Sequence, residues 1–181
     1  MTDNELMELI RLTLLDQLAL QGAPWDTVLV ATSFQSAQEG RENGPIIYYF
    51  PLPSVRYGWQ GRDGKYDPDE GNITYTERQW MQQTFQFSAL LPQQATDTTI
   101  PTPHDLVSMA AMVMNSRGFI DKLRQGGAGV QRITDVRCPF FTNDQNQFEA
   151  SPSFDFTVSN LRSIIRKDPA TERFEFRQTR V

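Results

Sequence analysis

The side chains able to carry covalent, acid–base or metal chemistry are few in this 181-residue chain, which holds one His, His104, and one Cys, Cys138. A lone His rules out a His-pair metal site, and a lone Cys rules out an internal disulfide or any site built on several thiolates. A Cys–His dyad would need these two residues to converge across the fold. His104 stands before Asp105 at an expected helix start, where capping or plain exposure accounts for both. Asp63, Asp67, Asp69 and Glu70 gather the hard oxygen ligands that calcium takes, but Lys65 occupies a ligand position and Thr74 stands where an EF-hand closes with Glu. Gly58 to Lys65, GWQGRDGK, is close to a phosphate-binding loop. It fails because five residues rather than four separate Gly58 from Gly64, and Tyr66 follows where Ser or Thr must reach magnesium. On these grounds no catalytic residue, metal or cofactor is assigned, and the chain reads as a non-enzyme.

Aromatic residues carry the remaining signal. Tyr48, Tyr49, Phe50, Tyr57, Trp59 and Tyr66 have the make-up of a stacking platform for carbohydrate or single-stranded nucleic acid. They equally have the make-up of the aromatic centre of a protein interface, or of a core with an adjoining loop. The interface reading takes Tyr57, Trp59, Arg62, Asp63 and Tyr66 from segment 53–73, and Arg41 and Glu42 from the polar segment 35–45, as contact candidates. Arg162, Arg166, Lys167, Arg173, Arg177 and Arg180 interleave with Asp168, Glu172 and Glu175. That pattern suits a solvated or intersubunit salt-bridging edge better than a phosphate groove.

The formal charge of −5 and a pI near 4.9 lack the footprint of a protein that grips nucleic-acid phosphates. An acidic wall would instead keep passing DNA from sticking. With 39% hydrophobic and 22% charged residues the chain has ordinary globular usage. A chain of this size buries roughly 70% of its unfolded surface, so one domain over 1–181 is expected. No run approaches the roughly 20 apolar residues of a membrane span, and the first twenty residues are too acidic for a signal peptide.

The elements that position these residues follow from periodicity and breakers. Thr2 and Glu5 have capping-box spacing, and Leu6, Ile10, Leu14 and Leu18 recur at i+4, which predicts a helix over 3–20. Segments 27–34 and 46–52 are β-rich and predict a hairpin with a long loop. Segment 53–73, rich in Gly, Pro and Asp, reads as a flexible loop. Residues 74–91 alternate Phe85, Phe87 and Ala89 with polar neighbours, as a long half-buried strand does. Thr102-Pro103 opens a second helix that Gly118 bends or divides and Gly126-Gly127 ends. Strands over 130–142 and 148–158 follow, joined by a turn at 143–146, with Phe154, Phe156 and Val158 inward. Residues 161–167 read as a short helix or irregular connection, and 172–178 as a last strand. The predicted fold is α+β, a mainly antiparallel sheet packed by an N-terminal and a central helix, with long inter-strand loops.

The order NELMELIRLTLLDQL, IIYYFPL, ERQWMQQTFQFSALL, DLVSMAAMVM, VQRITDVRCPFF and FEASPSFDFTVS resembles the tail-terminator, neck or gateway proteins of tailed bacteriophages. The resemblance implies a virion component, assembled in the host cytoplasm, that forms a ring of commonly six copies at the head–tail junction. It implies partners in the tail tube or sheath and in the head-side connector or collar, and a channel through which DNA passes without specific binding. It implies neither membrane nor cofactor. A monomeric module that binds peptide or glycan through its aromatic surface is the competing expectation.

Overall fold

The computed structural model describes residues 1–32, 44–90, 100–142 and 148–170. The expected capping box forms at the start of α1, Asp3–Ala19. Thr2 Oγ1 accepts from the Glu5 amide at 3.3 Å, and the Glu5 carboxylate accepts from the Thr2 amide at 2.7 Å. Hydrogen bonds from Thr2 hold the Glu5 carboxyl below its ordinary pKa. The stripe of Leu6, Ile10, Leu14 and Leu18 is buried along the whole helix. α2, Pro103–Met114, repeats the device with Thr102 and Asp105, and Pro103 sits at its start, where the missing N–H costs nothing.

The break before α3, Arg117–Gln125, falls at Asn115–Ser116 rather than at Gly118. Asn115 exchanges two 3.0 Å hydrogen bonds with the backbone of Ile133, and Ser116 Oγ accepts from the Phe119 amide. These short polar side chains offer the backbone partners outside the helical ladder, so they end α2 and cap α3. Gly127 follows α3 with φ +83°, a conformation that suits Gly.

The strands are β1 Leu29–Thr32, β2 Ile46–Pro51, β3 Val55–Asp67, β4 Asn72–Leu90, β5 Ala128–Val130, β6 Phe140–Thr142, β7 Phe148–Ala150 and β8 Ser153–Pro169. Six form one sheet in the order β1-β2-β4-β8-β5, with β3 added beside β4, and β6-β7 form a separate ribbon. All pairings are antiparallel except β1 with β2, so the architecture is α+β as predicted.

Several details of the strands differ from the sequence reading. β1 and β2 run parallel, Leu29 opposite Ile46, instead of forming a hairpin. The stretch between Thr32 and Ile46 exceeds the dozen residues that a parallel crossover needs, and strand patterning carries no information on direction. The strand read over 148–158 is cut at Ser151-Pro152, because Pro lacks the donor that would continue the ladder. The one read over 130–142 is likewise only β5 and β6 with irregular chain between them. β8 then runs through 161–167 as strand, not helix, because that stretch pairs residue for residue with β4. Arg41, Glu42, the turn at 143–146 and the strand read at 172–178 lie outside the described residues.

One face of the sheet packs on the three helices. Phe87 stacks on Tyr49 at 5.3 Å and on Phe154 at 5.1 Å, and Phe119 of α3 meets Phe156 edge-on. The Tyr49 hydroxyl donates to the Met7 carbonyl at 3.0 Å, tying α1 to the sheet. Burial pushes the Tyr49 phenol up to about 12. The other face is lined by Thr84, Gln86, Ser88 and Thr157, all part-exposed, which is the inside–outside alternation of a half-buried sheet.

Candidate assembly surface

β4 and β8 are far longer than the core they serve. Their inward residues are buried only as far as Gln83 and Asn160, and beyond these no residue of β3, β4 or β8 is buried. Asn72 to Gln82, at about 3.3 Å per residue, therefore form the spine of an exposed arm about 36 Å long. Asp3 secures its root, accepting from Gln83 Nε2 at 3.2 Å and pairing with Arg162. At its tip Lys167 meets Glu70 at 2.8 Å, which raises the lysine pKa and lowers that of the carboxyl.

Segment 53–73 is thus not a flexible loop. It is β3, which pairs with β4 from Val55 to Asp67, followed by a tight turn. In the turn, Asp67 Oδ1 accepts from the amides of Asp69 and Glu70, and Gly71 takes φ +63°. The strand was illegible because both its faces meet water, so it carries no apolar alternation, and Gly58, Gly61 and Gly64 imitate loop composition.

The register separates the predicted contact residues onto two faces. Tyr57 lies opposite Trp80, which lies opposite Leu161, so these three form a row across the arm on the face away from the helices. Asp63 shares that face. Arg62 and Tyr66 stand on the helix side, opposite Glu77 and Ile73, and Arg62 Nε lies 3.5 Å from a Glu77 carboxylate oxygen. Trp59 belongs to neither row. Three residues of β3, Gly58 to Gln60, oppose the single Gln79 of β4, and this bulge throws Trp59 out to 98% exposure. The Gln79 amide donates to the carbonyls of Tyr57, at 2.8 Å, and Gly58, at 3.3 Å, and so holds the bulge in shape.

Trp80, Leu161, Ile164 and Ile165 are exposed on the arm and were missed as contact candidates, Ile164 and Ile165 at 66% each. The signal available was a strand longer than any one core needs. Tyr49, by contrast, leaves the aromatic group for the core. Of the basic C-terminal residues within the described range, Arg162, Arg166 and Lys167 each pair with an acid of the same chain.

The residues weighed for chemistry do not assemble. His104 is exposed on the first turn of α2, with Nε2 3.5 Å from Ser108 Oγ, and Cys138 is half-buried and free. Among the described residues no three His, Cys, Asp or Glu side chains converge as metal ligands, and no helix is long and apolar enough to cross a membrane.

Among the described residues, a small helix-backed sheet extends into an arm whose two faces carry exposed aromatic and aliphatic side chains. The chain belongs to the E217 gateway protein gp29 family, whose model matches residues 5–170. Its fold is similar to that of the sheath/tube terminator of an extracellular contractile injection system, PVC, in the extended state. That likeness has a TM-score of 0.51 at 10% identity over 100% of this chain. This chain spans 64% of the terminator's length. No curated protein sequence matches it.

Proposed function

We propose that this protein is a structural component of a phage virion that forms a ring at the head–tail junction, ends tail-tube growth and joins the tail to the head-side connector. The observation that carries the reading is membership of the gateway family across 5–170, and the exposed arm supplies the contact surface such a role requires. The tail tube or sheath protein and the head-side connector or collar protein are the proposed partners. DNA passes through the channel without specific binding, consistent with a net charge of −5. The role is non-enzymatic, the site of action is the virion neck, and assembly takes place in the host cytoplasm. Tyr57, Trp59, Arg62, Asp63 and Tyr66, with Arg41 and Glu42, are the proposed contact residues.

The test is native mass across a concentration series. The subunit is 20.7 kDa, so a closed hexamer is about 124 kDa. A discrete closed ring supports the reading. A protein that stays monomeric at every concentration and saturably binds a peptide or glycan in the hollow beside Tyr57 and Trp80 replaces it with the binding-module reading. That alternative rests on the aromatic row and a cavity of about 380 Å³ beside it.

A further inference from the structure

Among the described residues the two long margins of the arm are strand edges with no partner strand, and their hydrogen-bonding groups can be assigned. The Ser153 amide and carbonyl both bond Arg137 at 2.8 Å, and the Thr157 carbonyl accepts from Gln131 at 3.0 Å. The odd-numbered residues of β8 therefore turn their backbone groups away from β4. β5 covers that side only as far as Asn160. From there Leu161, Ser163, Ile165 and Lys167 present N–H and C=O groups with no strand beside them among the described residues. On the opposite margin, the Thr84 carbonyl accepts from Leu52, so even-numbered residues of β4 face the β2 and β3 side. Asp63 and Lys65 face Thr76 and Thr74 in that ladder. Arg62, Gly64 and Tyr66 consequently turn their amides and carbonyls outward.

β3 and β8 are both antiparallel to β4 and so run in the same direction on opposite sides of it. An arm of this kind carries both halves of one contact. We infer that neighbouring copies of this chain join edge to edge, the β8 margin of one arm pairing in parallel with the β3 margin of the next. A rotation about an axis running along the arms brings these two edges together without reversing either. The contact is heterologous, and repeated by a pure rotation that divides the full turn evenly it closes a ring. It satisfies groups that natural proteins otherwise blunt or cover at an edge. It also brings the exposed Ile164 and Ile165 beside a second arm, on one face each. The inference rests on the ring reading above and adds which surfaces meet.

The test is Ser163→Pro, compared with wild type by native mass and by thermal unfolding of the dilute monomer. Ser163 directs its N–H outward, so Pro deletes an edge donor and leaves the β4 ladder whole. The expected result is at least a tenfold rise in the concentration needed for assembly, with monomer melting within a few degrees of wild type. In a Cys138→Ser background, Asp63→Cys combined with Ser163→Cys, two side chains on the face away from the helices, should give a ladder of covalent multimers with a short bis-maleimide, and neither single-Cys variant should give one. A wild-type ring that Ser163→Pro leaves unchanged, with no ladder from the double variant, overturns edge pairing and leaves the ring reading standing. Loss of monomer stability with unchanged assembly would assign the β8 edge to the chain's own residues beyond Ala170 and also overturn it. Cross-linked dimers from a single-Cys variant would show a self-paired contact instead. A wild-type protein monomeric at every concentration removes the ring reading and this contact together.

Discussion

Replacing Trp59 by Ala separates the cost of assembly from the cost of folding. Trp59 is 98% exposed, so it contributes almost nothing to the isolated fold. The bulge that carries it is held by the positive φ of Gly58 and by the Gln79 amide, neither of which the substitution touches. Monomer stability should therefore change by no more than about 0.5 kcal/mol. In an assembled ring the indole has up to about 250 Å² to bury. At about 25 cal/mol per Å² that is a ceiling of about 6 kcal/mol. Burial of half of it at an interface gives about 3 kcal/mol, in the range of measured hot spots. A tenfold change per 1.4 kcal/mol converts this to a weakening of about 150-fold per contact. Sedimentation velocity over a dilution series reads the assembly, and a chemical melt at the lowest concentration reads the fold. Assembly of Trp59→Ala within threefold of the wild-type midpoint would exclude Trp59 from the contact. A loss of more than about 1 kcal/mol in the variant monomer would make Trp59 part of the fold instead.

Two predictions concern the core. Phe87→Ala removes a fully buried ring stacked between Tyr49 and Phe154, and should cost about 3 to 5 kcal/mol, a fall in melting temperature of about 6 to 20 °C; a loss below about 1.5 kcal/mol in urea unfolding would mean that the cavity collapses. Tyr49 should make stability fall as pH rises. Its phenol titrates from an ordinary value of 10.0 when unfolded but only at about 12 when folded, so its contribution is complete below pH 10.0 and is lost as pH rises to about 12. Tyr49→Phe should lack that alkaline decline, and identical pH profiles in guanidinium unfolding between pH 9 and 12 would refute the assignment.

The helices and the core strands were legible because each carries its own local instruction. Thr2 with Glu5 and Thr102 with Asp105 cap helices through contacts three residues apart. The i+4 Leu stripe and the alternation of Phe85 and Phe87 state which face is buried, since helix and strand periods differ. The resemblance read from the order of these elements, to neck and gateway proteins, agrees with the family match. What depended on pairing was hidden.

Composition alone could mark Tyr57 and Trp59 as candidates for contact, yet it placed them on a loop. A strand wet on both faces has no hydrophobic period, so β3 exists only because β4 offers it an edge, and the arm end of β8 is strand for the same reason. The sequence by itself determined the helices, the inward faces and that one His and one Cys rule out a His-pair metal site and an internal disulfide. Only the tertiary structure decided that β1 runs parallel to β2, that Tyr57, Trp80 and Leu161 share a row, and that, among the described residues, two edges without a partner strand flank one arm. Those facts are matters of register and direction between segments distant in the chain, which backbone hydrogen bonds set and side-chain identity does not encode.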